Sequence, residues 1–120
     1  DVAKSFEFHK KNGVKLLSNL ETTPEGKKHY LLEDPNGNIF EIVEGISWFG
    51  KTGHPAQTGG VAGVVIGVSD IEKSLKLYKD LLGYSEIVYD EKNNFEAYKN
   101  LKGSEGQFRR AVPAKAVYWL

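Results

Sequence analysis

At 120 residues the chain has the size of one small domain and is too short for two complete catalytic domains. A composition of 40% hydrophobic and 27% charged residues, with Gly 13, is that of a globular chain and excludes disordered, collagenous and membrane-embedded classes. Sixteen Lys+Arg balance sixteen Asp+Glu, so no basic field recommends a nucleic acid as partner; Cys 0 removes disulfides, thiolate nucleophiles and cysteine-bound metals, and a reducing, cytoplasmic setting is expected.

No apolar run approaches the roughly 18 residues of a membrane span, and the opening DVAKSFEFHKK lacks the apolar stretch of a secretory signal, so no membrane partner is expected. The chain opens on Asp1 and closes on the apolar run Ala116-Val117-Tyr118-Trp119-Leu120, a pattern expected of a piece cut from something longer.

In chain order, Asp1 to Asn12 is predicted as a helix. Val2, Ala3, Phe6 and His9 recur at helical spacing, Phe8 falls on the opposite face, and Gly13 stands where a helix-ending glycine belongs. Val14-Lys15-Leu16-Leu17 is a short strand candidate, and Thr22 to Lys28, with Pro24 and Gly26, is predicted as a loop. Tyr30-Leu31-Leu32-Glu33, Asp34-Pro35-Asn36-Gly37 and Asn38 to Val43 predict a β-hairpin, because Asp, Pro and Gly occupy the positions they favour in a type I turn. Gly45 to Gly60, GISWFGKTGHPAQTGG, is aperiodic and reads as a linker.

Val61 to Val68 is predicted as a strand. Ser69-Asp70-Ile71-Glu72 reads as a capping box opening a helix from about Asp70 to Leu82, with Ile71, Leu75, Tyr78 and Leu82 as its buried stripe and Gly83 at its end. Tyr84 to Tyr89 and Gln107 to Val112 are strand candidates separated by a polar, turn-rich stretch from Asp90 to Gly106.

Two of these stretches resemble the vicinal oxygen chelate superfamily, which includes glyoxalase I, extradiol dioxygenases and the fosfomycin and bleomycin resistance proteins. GVAGVVIGVSDIEKSLKLYKDLLGYSEI is similar to the strand-helix-strand that opens such domains. NGVKLLSNLETTPEGKKHYLLEDPNGNIFEIVEG is similar to the segment that closes them, with DPNGNIFEI matching the family's DPDGN-x-IEL. The closing half comes first. The resemblance therefore implies an α+β chain of βαβββ modules, incomplete at both ends and spanning a junction: 1–45 the C-terminal half of a first glyoxalase-like domain, 46–60 a linker, and 61–120 the N-terminal half of a second.

Glu41 is the candidate catalytic and metal-binding residue. On a strand it shares a face with Ile39 and Val43 while Phe40 and Ile42 point the other way, so the carboxylate needs a partner, a proton or a cation. In the resembling family this glutamate is a metal ligand; the plainer reading is a carboxylate facing a groove or paired with a lysine. Gly63 stands where metal-binding members place a first histidine and offers no donor; with Gly67 it either opens space for a ligand or relieves crowding in a curved sheet. His9, His29 and His54 are not spaced as a metal pair. Lys27-Lys28 and Arg109-Arg110 read as solvated pairs, and Trp48-Phe49 as an aromatic pair tucked against a domain face or partner.

Two functions of different class follow. One is a metal-dependent lyase, isomerase or dioxygenase in an intact parent, where a divalent ion on His and Glu ligands binds neighbouring oxygens of a small substrate and stabilises an enediolate or activates dioxygen. The other is a metal-free binding or sequestering module of the bleomycin-resistance type. The chain alone is expected to hold no metal tightly, and open sheet edges to favour a homodimer or strand-swapped oligomer.

Overall fold

The structure, a computed structural model, describes residues 1–45, 61 and 63–92, and the backbone of 107–112. The expected linker, with His54 and the Trp48-Phe49 pair, lies outside these residues, as do 93–106 within the polar stretch. The described residues form a mixed helix and antiparallel-sheet protein of the α+β class and fall into two compact units, one on the Asp1 side of Ile66 and one from Ile66 onward.

In the first unit, α1 (Val2–Lys11) begins where Asp1 accepts backbone N–H bonds from Ala3 at 3.0 Å and Lys4 at 3.2 Å. It ends at Asn12, and Gly13 takes the left-handed φ of +71° that a side chain would resist. Val2 is buried, Phe6 and His9 half-buried and Phe8 exposed, as the spacing predicts; Ser5 is buried as well.

The sheet is organised on β3 (Lys28–Glu33). Along one side runs β4 (Ile39–Val43), antiparallel, from Glu33↔Ile39 to His29↔Val43. Along the other lie β1 (Lys15–Leu16), opposite Glu33 and Leu32, and β2 (Glu21–Thr22), opposite His29 and Lys28. These two short strands form one interrupted edge. Across the interruption Leu17 N–H donates to Leu31 O and Leu31 N–H donates to Ser18 Oγ, both at 2.9 Å, so the central strand keeps its hydrogen bonds where the edge bulges away.

The expected loop from Thr22 to Lys28 is thus corrected to a tighter hairpin turn. Thr23 O accepts from Gly26 N–H and Thr23 Oγ1 from Lys27 N–H, leaving Thr22 and Lys28 free to pair as strand residues. The hairpin at Asp34-Gly37 closes as predicted, with Gly37 N–H donating to Asp34 O at 3.0 Å and Gly37 at φ +86°. Tyr30 and Leu31, at the middle of β3, form the buried core with Val2.

The chain from Val61 onward departs further from expectation. Among the described residues Val61 to Val68 pairs with no strand, and Val61 and Val64 are 79% and 78% exposed. Its β-branched run carries strand propensity, but a strand exists only where a partner supplies a ladder. The helix α2 (Ile71–Leu75) is capped by Asp70, whose Oδ1 accepts Lys73 N–H at 3.0 Å; this displaces Ser69 from the expected capping role by one residue. From Lys76 to Leu81 the coil widens to a π-helix, and Leu82 N–H reaches back to Leu77 O. The extra residue per turn rotates Leu82 off the stripe: Ile71, Leu75 and Tyr78 are half-buried, Leu82 is exposed.

Gly83, at φ +76°, ends the coil, with Tyr84 N–H donating to Tyr78 O. Then β5 (Glu86–Lys92), starting two residues after the expected Tyr84 and running beyond Tyr89, pairs antiparallel with β6 (Gln107–Val112) across a register shift between Ile87 and Tyr89. Among the described residues no helix is long and apolar enough to cross a membrane.

Candidate functional site

Register and pleat decide which residues of the first sheet share a face. Directly opposed residues point to the same side and successive residues alternate. Tyr30 and Leu32 therefore share one face with Ile42, Phe40 and Leu16; His29, Leu31 and Glu33 share the other with Val43, Glu41, Ile39, Lys15 and Glu21.

Helix α1 packs against the Tyr30 face. The Phe6 and Tyr30 rings meet edge to face at 5.1 Å and 79°, and the Tyr30 hydroxyl lies 2.7 Å from His9 Nδ1. Burial pushes the Tyr30 phenol up to about 12, since the phenolate would have to form away from water. His9 is therefore engaged as a hydrogen-bond partner of the core tyrosine.

Glu41 lies on the opposite face. Its Oε1 is 2.7 Å from Nδ1 of His29, two residues diagonal to it across the β3–β4 pair. The two groups differ in freedom: the His29 side chain is 1% exposed on the central strand, whereas 22% of the Glu41 side chain remains exposed on β4. An ionised carboxylate only accepts, so in this pair Nδ1 carries the proton.

Glu41 thus has an imidazole as one partner, and His29 is the member of the pair that sequence spacing did not single out. The signal for it was the hairpin itself. A turn closed between Asp34 and Asn38 sets Glu33 opposite Ile39 and, counting outward, His29 opposite Val43 and diagonal to Glu41.

Lys15 bonds Glu33 at 2.9 Å on the same face, and Lys28 N–H donates to Glu44 Oε2 at the end of the hairpin. Arg109 and Arg110 lie on β6, opposite Asp90 and Tyr89. A cleft of about 630 Å3 at the C-terminal end of α1, with His9, Lys15 and Glu33 on its wall, does not include His29 or Glu41. Among the described residues an added Cβ at Gly63 or Gly67 would meet nothing within 4 Å.

For a divalent metal, the donor chemistry of Glu41 fits one ligand: a hard carboxylate oxygen from a group already hydrogen-bonded by a neighbouring imidazole, as metal-binding carboxylates are. Among the described residues no group of three His, Asp or Glu comes together around a common point. Comparison of the chain with protein-family models, with curated proteins and with solved structures finds no match.

Proposed function

We propose that the chain belongs to a glyoxalase-like, vicinal-oxygen-chelate protein in which Glu41 supplies one ligand of a divalent metal, the remaining ligands coming from outside this chain. The intact protein then acts as a lyase, isomerase or dioxygenase on a small oxygen-rich molecule in the cytoplasm. The observation that carries the reading is the His29–Glu41 contact of 2.7 Å on a half-buried sheet face, directly after the DPNGN turn that motivates the resemblance.

When bound, the metal would supply Lewis-acid polarisation of two adjacent substrate oxygens. Within this chain, Glu41 contributes negative charge and an oxygen donor, His29 holds that donor, and Leu31 beside them limits water. Gly63, which offers no donor, and the apolar exposure of Val61, Val64 and Val65 favour a second reading, a metal-free binding module paired with another copy of the chain.

Metal analysis and calorimetric titration with nickel, zinc, manganese and ferrous iron, on the chain and on Glu41→Gln, test the first reading. No tight binding is expected for the chain alone. Stoichiometric, tight binding that disappears in the variant would show a complete ligand set here and overturn the division of ligands proposed. For the second reading, a small molecule held equally well with a chelator present and in Glu41→Gln, by a species that light scattering shows to be dimeric, is the expected result.

A further inference from the structure

We propose that Asn36 is a modification site: of the two Asn-Gly steps in the chain, it is the one that deamidates in the folded protein, closing on the Gly37 nitrogen to a succinimide and reopening as aspartate or isoaspartate. Asn12-Gly13 has the same two residues and is protected by its place in the fold.

The reaction consumes water alone. The Gly37 nitrogen, stripped of its proton by hydroxide, attacks Cγ of Asn36. The N–Cγ bond forms, the Cγ–Nδ2 bond breaks, and Nδ2 leaves as ammonia with a proton taken from water. A water molecule then opens the ring. Cleavage between the nitrogen and Cγ leaves aspartate; cleavage between the nitrogen and the main-chain carbonyl carbon leaves isoaspartate, whose backbone is lengthened by running through Cβ.

Ring closure needs a nitrogen that can lose its proton and a carboxamide that can swing over it. The nitrogens do not separate the two steps. Gly13 N–H donates to Lys10 O at 3.2 Å and Gly37 N–H to Asp34 O at 3.0 Å, both at exposed positions where single bonds open readily. The carboxamides do. Asn12 caps the end of α1, and its Nδ2 donates to Phe8 O at 2.7 Å, one turn back. That bond holds the carboxamide in the direction helical side chains already lean, away from the nitrogen of Gly13. Asn36 is exposed, its backbone N–H is held by Asp34 Oδ1 at 2.8 Å, and its carboxamide has no hydrogen-bond partner among the described residues. It samples its rotamers, and around Gly37 even an added Cβ would meet nothing within 4 Å.

The modification reaches the sheet, because the β3–β4 register is counted from this turn. Asp34 grips the N–H groups of Asn36 and Asn38 through its carboxylate and closes the ladder with its own N–H on Asn38 O at 2.9 Å. An isoaspartate at 36 inserts a backbone carbon inside that loop of bonds.

The chain and Asn36→Gln are incubated in mildly alkaline buffer, with and without concentrated urea, and mass-spectrometric peptide maps follow the products at residues 12 and 36. In the folded chain Asn36 is expected to react roughly 5- to 10-fold faster than Asn12, the factor that one hydrogen bond on the carboxamide supplies, and in urea the two rates are expected to agree within about threefold. Asn36→Gln is expected to lose the isoaspartyl product at this position and to keep the slow reaction at Asn12. A ratio of rates that is the same folded and in urea would show that sequence neighbours set it, and would overturn the proposal; so would faster reaction at Asn12 in the folded chain, or reaction at both sites only in urea. In the isolated isoaspartyl product, hydrogen exchange at Asp34 N–H is expected to be roughly 5- to 10-fold faster than in the parent. Unchanged exchange there would overturn the link from residue 36 to the sheet.

Discussion

Tyr30→Phe separates the energetics of a buried phenol into two parts that respond oppositely to pH. The substitution keeps the ring and its edge-to-face contact with Phe6 at 5.1 Å and removes the hydroxyl that lies 2.7 Å from His9 Nδ1. Near neutral pH the variant is expected to be less stable by about 1 kcal/mol, the net value of one such hydrogen bond.

At high pH the sign changes. The folded phenol is raised from 10.0 to about 12, so the native state holds the proton more tightly than the unfolded chain. The associated stability is present in full below pH ~10 and is lost as pH rises toward about 12. Two units correspond to about 2.7 kcal/mol. Wild type therefore loses an advantage that Phe never had, and the two stability curves converge or cross between pH ~10 and ~12.

Urea denaturation of both proteins across this range, with ultraviolet titration of the tyrosines, measures the effect. A difference that stays constant from neutral pH to about 12 would refute the reasoning, because it would mean that Tyr30 ionises no later in the fold than in the unfolded chain.

Gly37→Ala is expected to cost about 1 kcal/mol, since residue 37 has φ +86° and open space around its Cβ, whereas Gly63→Ala should be neutral or slightly stabilising; equal losses in denaturant midpoints would contradict this. Asp34 accepts from the Asn38 side chain, and from the Asn36 and Asn38 backbones, which holds its carboxyl below the usual range. The stability this provides is present above pH ~4 and lost as pH falls through the lower folded value, so the deficit of Asp34→Asn should shrink in acid; a deficit independent of pH would exclude the charge as its source. Ser18→Ala leaves the Leu31 N–H without its acceptor at the bulge and is expected to destabilise by about 1–3 kcal/mol, with faster hydrogen exchange at Leu31; unchanged exchange would show that another group takes over.

Sequence reading succeeded where the chemistry is local. The turn at Asp34 is written in residues that satisfy one another: the aspartate carboxylate accepts the N–H groups of Asn36 and Asn38, and Gly37 supplies the positive φ. Helix α1 is equally local, with Asp1 as cap, a face carrying Val2, Phe6 and His9, and Gly13 as stop. Failure came where structure depends on a distant partner. Glu21–Thr22 is a strand because β3 passes beside it, with Thr22 alone carrying strand propensity, while Val61–Val68 has the propensity and no described partner. The widening at Lys76–Leu81 has no marker in the sequence, and it moved Leu82 out of a stripe that 3.6-residue spacing had assigned it.

His29, the neighbour of Glu41, escaped the sequence reading for a reason that can be traced. Period-2 alternation names the same-face mates of Glu41 within its own strand, Ile39 and Val43, but is silent about the strand alongside. Register supplies that. Once the turn is placed, opposed residues pair outward from Glu33↔Ile39, and each step fixes the next, so the diagonal neighbour of Glu41 becomes residue 29 as a matter of counting. A strand begun at Tyr30 stops just short of that histidine; one begun at Lys28, where β3 starts, includes it. The extra length was concealed by Lys27-Lys28, whose charges suggest a loop, although Lys28 is exposed on the pleat and pairs with Thr22 through its backbone. A charged residue at the mouth of a strand is weak evidence against the strand, because exposed pleat positions accept lysine. The count from a readable turn is the stronger signal, and here it leads to the imidazole that holds Glu41.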